Sequence, residues 1–192
     1  MNKNRKLLLF CGPSGSGKTT IVHHLLDIDP RLKFSVSATT RNKRFNEVDG
    51  EDYHFLSIDE FKKRIANDEF IEWEEVYPNG FYGTLKSEVE SIWSAGKTPV
   101  FDVDVEGGLK IKSIFGDQLL AVFVSPPSVE ELHKRLIARN SETPESYKLR
   151  IQKSEYELSF APKFDQVILN DTLQNAFAQA KEMLNGFLEE NR

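Results

Sequence analysis

The chain has 192 residues, of which 39% are hydrophobic and 29% are charged, enough apolar content for one core domain with small inserted subdomains. The formal net charge of −5 and the pI near 5.5 argue against nucleic acid as a partner, because duplex binding requires a basic surface. A small anionic substrate stays compatible with this charge, because local arginine clusters can act within an acidic protein.

The single cysteine, Cys11, excludes an internal disulfide and fits a reducing compartment. The basic N-terminal start is followed by only a short apolar stretch, and no apolar run reaches the roughly 18 residues that a membrane span requires. We therefore expect a cytoplasmic protein that does not bind membranes.

The apolar run Leu7–Cys11 predicts a buried parallel strand, because it is short, continuous and ends at glycine. A helix is predicted from about Lys18 to near Pro30. Further strands are predicted at residues 99–105, 119–124 and 166–169, and further helices at 129–139 and 173–189. Strands that alternate with helices indicate an α/β fold with a parallel sheet.

Two stretches interrupt this alternation. Residues 37–91 contain strand patterns at 53–56 and 70–76 around a helix at 58–66, which predicts an inserted α+β subdomain. Residues 139–150 are polar and highly charged, which predicts a mobile lid. The expected organisation is a single domain, 1–192, with a core of about 1–36, 92–138 and 151–192.

Residues 12–19 read GPSGSGKT and fit the phosphate-loop pattern between a predicted strand and a predicted helix. Glycines allow backbone N–H groups to turn toward a polyphosphate, and the helix N-terminus adds partial positive charge. Lys18 can reach the β- and γ-phosphates, and the Thr19 hydroxyl can ligate Mg²⁺. The motif indicates nucleoside triphosphate binding, but a GTPase or an ATPase would share it.

Polar residues of the insert carry less information individually. Arg41 and Arg44 suit a phosphate dianion, although a solvated surface run is the alternative. Tyr53 could equally be a core tyrosine. Taken together and in order, seven stretches of the chain resemble the guanylate kinase family from Leu8 to the C-terminal helix: GPSGSGKTT, SVSATTRNKRFNEVDGEDYHF, EFIEWEE, FYGT, FDVDVEGG, PPSVEELHKRLIAR and VILND.

The resemblance implies a three-layer P-loop NTPase fold with a parallel central sheet, an inserted GMP-binding subdomain and a lid. It implies Mg²⁺-dependent transfer of the γ-phosphoryl group of ATP to GMP, and also to dGMP. The implied ATP-binding residues are Gly12, Pro13, Ser14, Gly15, Ser16, Gly17, Lys18, Thr19, Thr20 and Asn170. The implied GMP-binding residues are Ser37, Arg41, Arg44, Tyr53, Glu72, Tyr82, Thr84 and Asp104.

The implied guanine contacts agree with the chemistry of the base. Guanine presents N1–H and the N2 amine as adjacent donors that a carboxylate such as Glu72 can accept together, whereas adenine presents a lone pair there. A hydroxyl near O6, from Ser37 or Thr84, can donate to that oxygen. A site built on such bonds rejects the wrong base by up to about 10⁴–10⁵.

Asp102 and Asp104 fall in the predicted strand 99–105, whose two-residue period would point both side chains to the same side. Two carboxylates in an apolar strand are costly unless they meet metal, donors or cations. We predict Asp102 in the Mg²⁺ shell together with Thr19, and Asp104 at the acceptor base. Carboxylates with a purely structural role are the alternative, and the two assignments could be exchanged.

Three further arginines are implied as catalytic beside Lys18. Arg135 and Arg139 are four residues apart on a predicted helix, and Arg150 lies across the predicted lid. Cations brought in by a closing lid would stabilise the charge that develops during phosphoryl transfer and exclude water. Without the resemblance, a solvated helix face would explain the first two equally well.

Two other functions remain open on the sequence. One is an interaction module of similar fold that binds phosphopeptides, but such modules have a degraded phosphate loop, whereas Lys18 and Thr19 are present here. The other is a kinase of the same fold that acts on another phosphorylated small molecule, such as a ribose phosphate. The sequence is compatible with a monomer or a homodimer.

Overall fold

The structure, a computed structural model, describes residues 5–138 and 144–189, with side chains for 5–137 and 151–189. Within these residues the chain forms nine strands and seven α-helices. The strands are β1 (Leu7–Cys11), β2 (Leu32–Phe34), β3 (Ala38–Thr39), β4 (His54–Phe55), β5 (Phe70–Tyr77), β6 (Gly80–Leu85), β7 (Thr98–Asp102), β8 (Leu119–Ser125) and β9 (Gln166–Leu169). The helices are α1 (Lys18–Ile28), α2 (Ile58–Ala66), α3 (Lys86–Ser94), α4 (Val105–Phe115), α5 (Val129–Ala138), α6 (Pro144–Leu158) and α7 (Leu173–Glu189).

The core sheet has the order β2-β7-β1-β8-β9, and every neighbouring pair is parallel. Strand β1 is buried on both of its faces. Leu8 and Phe10 pack with α1 and α7 on one side, whereas Leu7, Leu9 and Cys11 pack with α3 and α4 on the other. This burial explains why β1 is a continuous apolar run. The three layers confirm the predicted α/β fold with a parallel central sheet.

A second sheet, β4-β3-β6-β5, lies in the insert. The β3–β6 and β5–β6 pairs are antiparallel. Helix α2 packs on this sheet through Phe61, whose ring lies 4.4 Å from that of Phe70 and 5.4 Å from that of Phe81 between centroids. The Ser57 hydroxyl caps α2 by accepting the Glu60 N–H. The insert therefore has its own small aromatic core.

One predicted element is wrong in a way that bears on the site. The strand predicted at 99–105 ends at Asp102, and Asp104 is the N-cap of α4. The Asp104 carboxylate accepts the Gly107 N–H at 2.8 Å, so a local side-chain hydrogen bond ends the strand. Asp102 and Asp104 are therefore not two equivalent positions on one strand.

Several elements were not predicted. Strands β2 and β3 are too short to show a periodic pattern, and α3 crosses the predicted boundary at 91–92 while its Val89 packs in the core. Helix α6 begins at Pro144, inside the predicted lid 139–150. The rest of that lid, 139–143, lies outside the described residues, so its mobility stays a prediction.

No helix among the described residues combines the length and the apolar character that crossing a bilayer needs.

Helix α4 packs closely against β1 at Gly108. A Cβ there would overlap the Cys11 Sγ and would lie 3.2 Å from the Leu9 Cδ2. We expect Gly108→Ala to lower the free energy of unfolding by about 1–3 kcal/mol, because the core would be overpacked.

Gly186 in α7 provides a matched control, because a Cβ there meets no atom within 4 Å. We expect Gly186→Ala to raise the free energy of unfolding by about 0.5–1 kcal/mol through helix propensity. Denaturant unfolding measures the free energy of unfolding of both variants. A change of the same sign and size in Gly108→Ala and Gly186→Ala would contradict the packing argument.

Candidate active site

The loop between β1 and α1 borders an open cavity of about 440 Å³. The Ser16 N–H donates to the Pro13 carbonyl at 3.1 Å, which closes a turn within the loop. The Lys18 ammonium donates to the Gly12 carbonyl at 2.8 Å and approaches the Pro13 carbonyl at 3.4 Å. The loop therefore holds its lysine over its own backbone, beside the cavity.

Asn170, which follows β9, fixes this loop to the sheet. Its side-chain amide donates to the Ser16 carbonyl at 2.7 Å, and its backbone N–H donates to the Ser125 carbonyl at 2.8 Å. Gly17 has φ of 97°, and a Cβ there would overlap the Asn170 amide. The Asn170 carbonyl accepts a hydrogen bond from Arg135 Nη2 at 3.1 Å. Asn170 thus joins the loop, the sheet and α5.

Two oxygen-bearing side chains meet where β1 and β7 end. The Thr19 hydroxyl donates to Asp102 Oδ2 at 2.7 Å. The two strands pair in parallel with Phe10 opposite Asp102, so this carboxylate lies beside the start of the phosphate loop. Both side chains line the 440 Å³ cavity.

A second cavity of about 240 Å³ lies between the insert and the core. It shares Tyr53 and residues 102–104 with the first cavity, so the two adjoin along a common wall. Its polar lining consists mainly of Ser37, Tyr53, Glu72, Glu74, Tyr82 and Asp104.

Glu72 and Asp104 both line this second cavity, Glu72 from strand β5 of the insert and Asp104 from the N-terminus of α4 in the core. A Cβ on Gly107 would lie 3.2 Å from Asp104 Oδ1 and 3.3 Å from Glu72 Oε2, so the absent side chain leaves space for both carboxylates. Burial raises the pKa of Glu72, while the hydrogen bond from Thr84 lowers it and the Asp104 charge raises it. The Thr84 hydroxyl donates to Glu72 Oε1 at 2.8 Å.

The two insert arginines, Arg41 and Arg44, do not line this cavity. The Arg41 guanidinium lies over the Tyr53 ring at 4.8 Å and pairs with Glu47. The Arg44 side chain is 74% exposed. The Tyr82 ring stands edge-on to that of Tyr53 at 6.0 Å.

A third cavity, of about 370 Å³, lies on the other side of the phosphate loop. Thr20, Arg135, Asn170 and Asp171 supply its polar lining, and Leu173 supplies an apolar side chain. Arg135 is held there by Glu131, which accepts its Nε–H at 3.0 Å.

A family model described as guanylate kinase matches residues 4–186. The guanylate kinase of Bacteroides fragilis is 54% identical over 95% of this chain and 90% of that protein, and that of Salinibacter ruber is 46% identical over 96% and 98%. The crystal structure of guanylate kinase from Anaplasma phagocytophilum has a TM-score of 0.78 at 26% identity and covers 100% of this chain and 90% of that one.

The chain belongs to the guanylate kinase family. It is therefore a nucleotide kinase, and the resemblance that the sequence motifs carried is confirmed. The individual residue assignments remain predictions, and the structure gives the geometry in which they can be judged.

Most residues assigned to ATP come together around the phosphate loop. Gly12, Ser14, Gly15, Gly17, Lys18, Thr19 and Thr20 line the first cavity, and Asn170 lines the third. Pro13 and Ser16 belong to the same loop, but they are buried and line neither cavity.

The three arginines expected to be catalytic are only partly described. Arg135 lies at the third cavity, Arg139 falls outside the described residues, and Arg150 lies in α6 with its side chain outside the described part.

Helix α6 contributes site residues that sequence reasoning missed. Lys153, Ser154 and Glu157 line the first cavity together with the phosphate loop. Glu157 is 7% exposed, and burial raises its pKa while the Lys153 and Lys18 charges lower it. The apolar residues of α6 are too dispersed around the helix to show which face it buries, so the sequence offered no clear signal.

The raised pKa of Glu72 has a consequence for stability. Below the ordinary carboxyl pKa of about 4.5, Glu72 is protonated in both the folded and the unfolded protein. As pH rises from there through the raised pKa of the folded protein, unfolding releases a proton and the free energy of unfolding falls. We expect Glu72→Gln without ligand to be more stable than the wild type at pH 7, with the difference vanishing below about pH 4.5.

Denaturant unfolding as a function of pH measures this difference. Glu182→Gln in α7 is the control, because Glu182 is exposed and forms no salt bridge among the described residues. If the free energy of unfolding of Glu72→Gln equalled that of the wild type at every pH, ionised Glu72 would bear no desolvation cost.

Proposed function

We propose that this protein transfers the γ-phosphoryl group of ATP to GMP or dGMP, giving ADP and GDP or dGDP. The observation that carries the proposal is the pair of adjoining cavities, one bordered by a phosphate loop and the other by a half-buried Glu72 held by Thr84. Two nucleotides bound in them would meet with their phosphates at the shared wall, Tyr53 and residues 102–104.

The donor half uses the phosphate loop. Loop N–H groups and Lys18 hold the β- and γ-phosphates, and the third cavity receives the adenine beside Asn170 and Asp171. Lys18 exchanges its loop carbonyl partners for phosphate oxygens, which are stronger acceptors because they are charged. Arg135 supplies positive charge next to the loop, joined by Arg139 and Arg150 as the lid closes.

The acceptor half divides into a base site and a phosphate site. Glu72 and Asp104 accept hydrogen bonds from guanine N–H groups. The Ser37 hydroxyl, which lines the same cavity, donates to O6. In this conformation the Thr84 hydroxyl hydrogen is directed to Glu72, so Thr84 orients the carboxylate. The ribose 2′-hydroxyl enters none of these contacts, which is why dGMP is included.

The acceptor phosphate is held by Arg41, Arg44, Tyr53 and Tyr82. It is already an anionic nucleophile, so no general base is required and catalysis rests on alignment and electrostatic stabilisation. Residues of this chain line all three cavities.

Magnesium fits the Thr19–Asp102 pair, because both side chains offer oxygen atoms beside the phosphate loop. The described residues contain no cluster of three acidic, histidine or cysteine side chains that could hold a metal. A site with few protein ligands suits Mg²⁺, which usually keeps water and substrate phosphates in its shell. Held by Thr19 and Asp102, Mg²⁺ would supply positive charge that offsets the negative charge of the ATP phosphates.

A coupled ADP-release assay over a set of acceptors tests the function. We expect turnover with GMP and dGMP and little with AMP, CMP, UMP or ribose phosphates. Glu72→Gln should reduce the preference for GMP over AMP by about 10- to 100-fold, because a charged hydrogen-bond acceptor is lost. The KM for ATP serves as the internal control. Equal rates with all acceptors would contradict the base assignment.

A separate measurement tests the metal assignment. We expect Mg²⁺ to strengthen binding of a fluorescent ATP analogue to the wild type and to strengthen it much less in Asp102→Asn, with similar affinities in EDTA. Glu106→Gln removes a nearby exposed charge and should keep the full Mg²⁺ effect. An undiminished Mg²⁺ effect in Asp102→Asn would exclude Asp102 from the metal site.

A further inference from the structure

Glu47 holds the loop that carries both insert arginines. Its carboxylate accepts Arg41 Nη1 at 2.7 Å and Nη2 at 2.6 Å, and it also accepts the Arg44 backbone N–H at 2.8 Å. The Arg44 guanidinium lies farther away, at 4.0 Å. One carboxylate therefore fixes the side chain of the first arginine and the backbone of the second.

Glu47 occupies one edge of the Arg41 guanidinium, and this determines which N–H donors of Arg41 stay available to a ligand. Glu47 takes the end that carries Nη1 and Nη2, and the Asn42 carbonyl accepts a further Nη1 hydrogen at 3.1 Å. The Nε–H and the outer Nη2–H form the other edge, which has the fork geometry that binds two phosphate oxygens. The Tyr53 and Phe55 rings, at 4.8 and 5.5 Å, fix the plane of the group.

We propose that Glu47 is a positioning residue for the acceptor phosphate, which orients Arg41 so that the Nε–Nη2 edge is presented to the phosphate of GMP. The inference rests on the proposed function, because it takes Arg41 as a ligand of that phosphate. An arginine side chain loses considerable rotamer freedom when it is fixed, and Glu47 and Tyr53 impose this order before the substrate arrives.

The opposite reading is a carboxylate that competes with the phosphate for Arg41. The contacts favour positioning. A phosphate that displaced Glu47 from Arg41 would break two hydrogen bonds, and the bond from the Arg44 backbone N–H would still hold the carboxylate next to the arginine. The Arg41 hydrogen bond holds the pKa of Glu47 down at about 2, so the carboxylate stays ionised at neutral pH.

Equilibrium binding of GMP and of guanosine, which lacks the phosphate, separates these readings. We expect Glu47→Gln to weaken GMP binding up to about tenfold, because Arg41 would then have to be ordered by the phosphate itself, and to leave guanosine binding unchanged. Glu51→Gln is the matched control, since Glu51 lies in the same loop, is exposed and forms no salt bridge among the described residues.

A double-mutant cycle with Arg41→Ala tests whether the effect passes through the arginine. We expect Glu47→Gln to cost nothing further in the Arg41→Ala background. Glu47→Asp keeps the charge with a shorter reach and should fall between wild type and Glu47→Gln. Thermal unfolding without ligand shows that each variant is folded.

Tighter GMP binding by Glu47→Gln would overturn the proposal and identify Glu47 as a competing anion. An equal loss for guanosine, or the same loss in the Arg41→Ala background, would also overturn it, because the effect would then not concern the phosphate through Arg41. If Arg41→Ala itself bound GMP as tightly as wild type, the assignment of the phosphate site would fail instead.

Discussion

The parallel pairing of β1 with β7 and β8 is the constraint on which the site depends. Parallel strands end at the same edge of a sheet, so the segments that follow them are brought together without being close in sequence. The phosphate loop follows β1, Asp102 ends β7, and Asn170 follows β9. The hydrogen bonds from Thr19 to Asp102 and from Asn170 to Ser16 then tie these segments to one another. The loop is held from two sides before any nucleotide binds.

The acidic side of the site is held at a cost to stability. Burial raises the pKa of both Glu72 and Glu157, and the Asp104 charge adds to the cost of ionising each. These carboxylates gain full compensation only from hydrogen-bond donors or cations, which the resting protein supplies in part through Thr84 and Lys153. Neutral groups would avoid this cost, so these carboxylates are not explained by a contribution to the stability of the fold.

Sequence reasoning succeeded where the signal was local and failed where it depended on tertiary contacts. The phosphate loop and β1 follow from glycine spacing and a short apolar run. Asp104 was misplaced because its alternation with Asp102 continues the strand pattern, whereas the decisive contact is its bond to the Gly107 N–H. The salt bridge between Glu47 and Arg41 leaves no periodic pattern in the sequence. Glu157 lines the first cavity only because α6 packs beside the phosphate loop.

Base recognition links the two sheets. Glu72 lies on β5 of the insert sheet, opposite Thr84 in the β5–β6 pair, whereas Asp104 caps a helix of the core. A guanine held by both carboxylates would therefore bridge insert and core, and it would do so next to the wall that the two cavities share. Binding energy from the base would then act on the position of the acceptor phosphate relative to the phosphate loop. In this arrangement a nucleotide with the wrong base loses contacts and also loses alignment of its phosphate, so discrimination extends from binding to the transfer step.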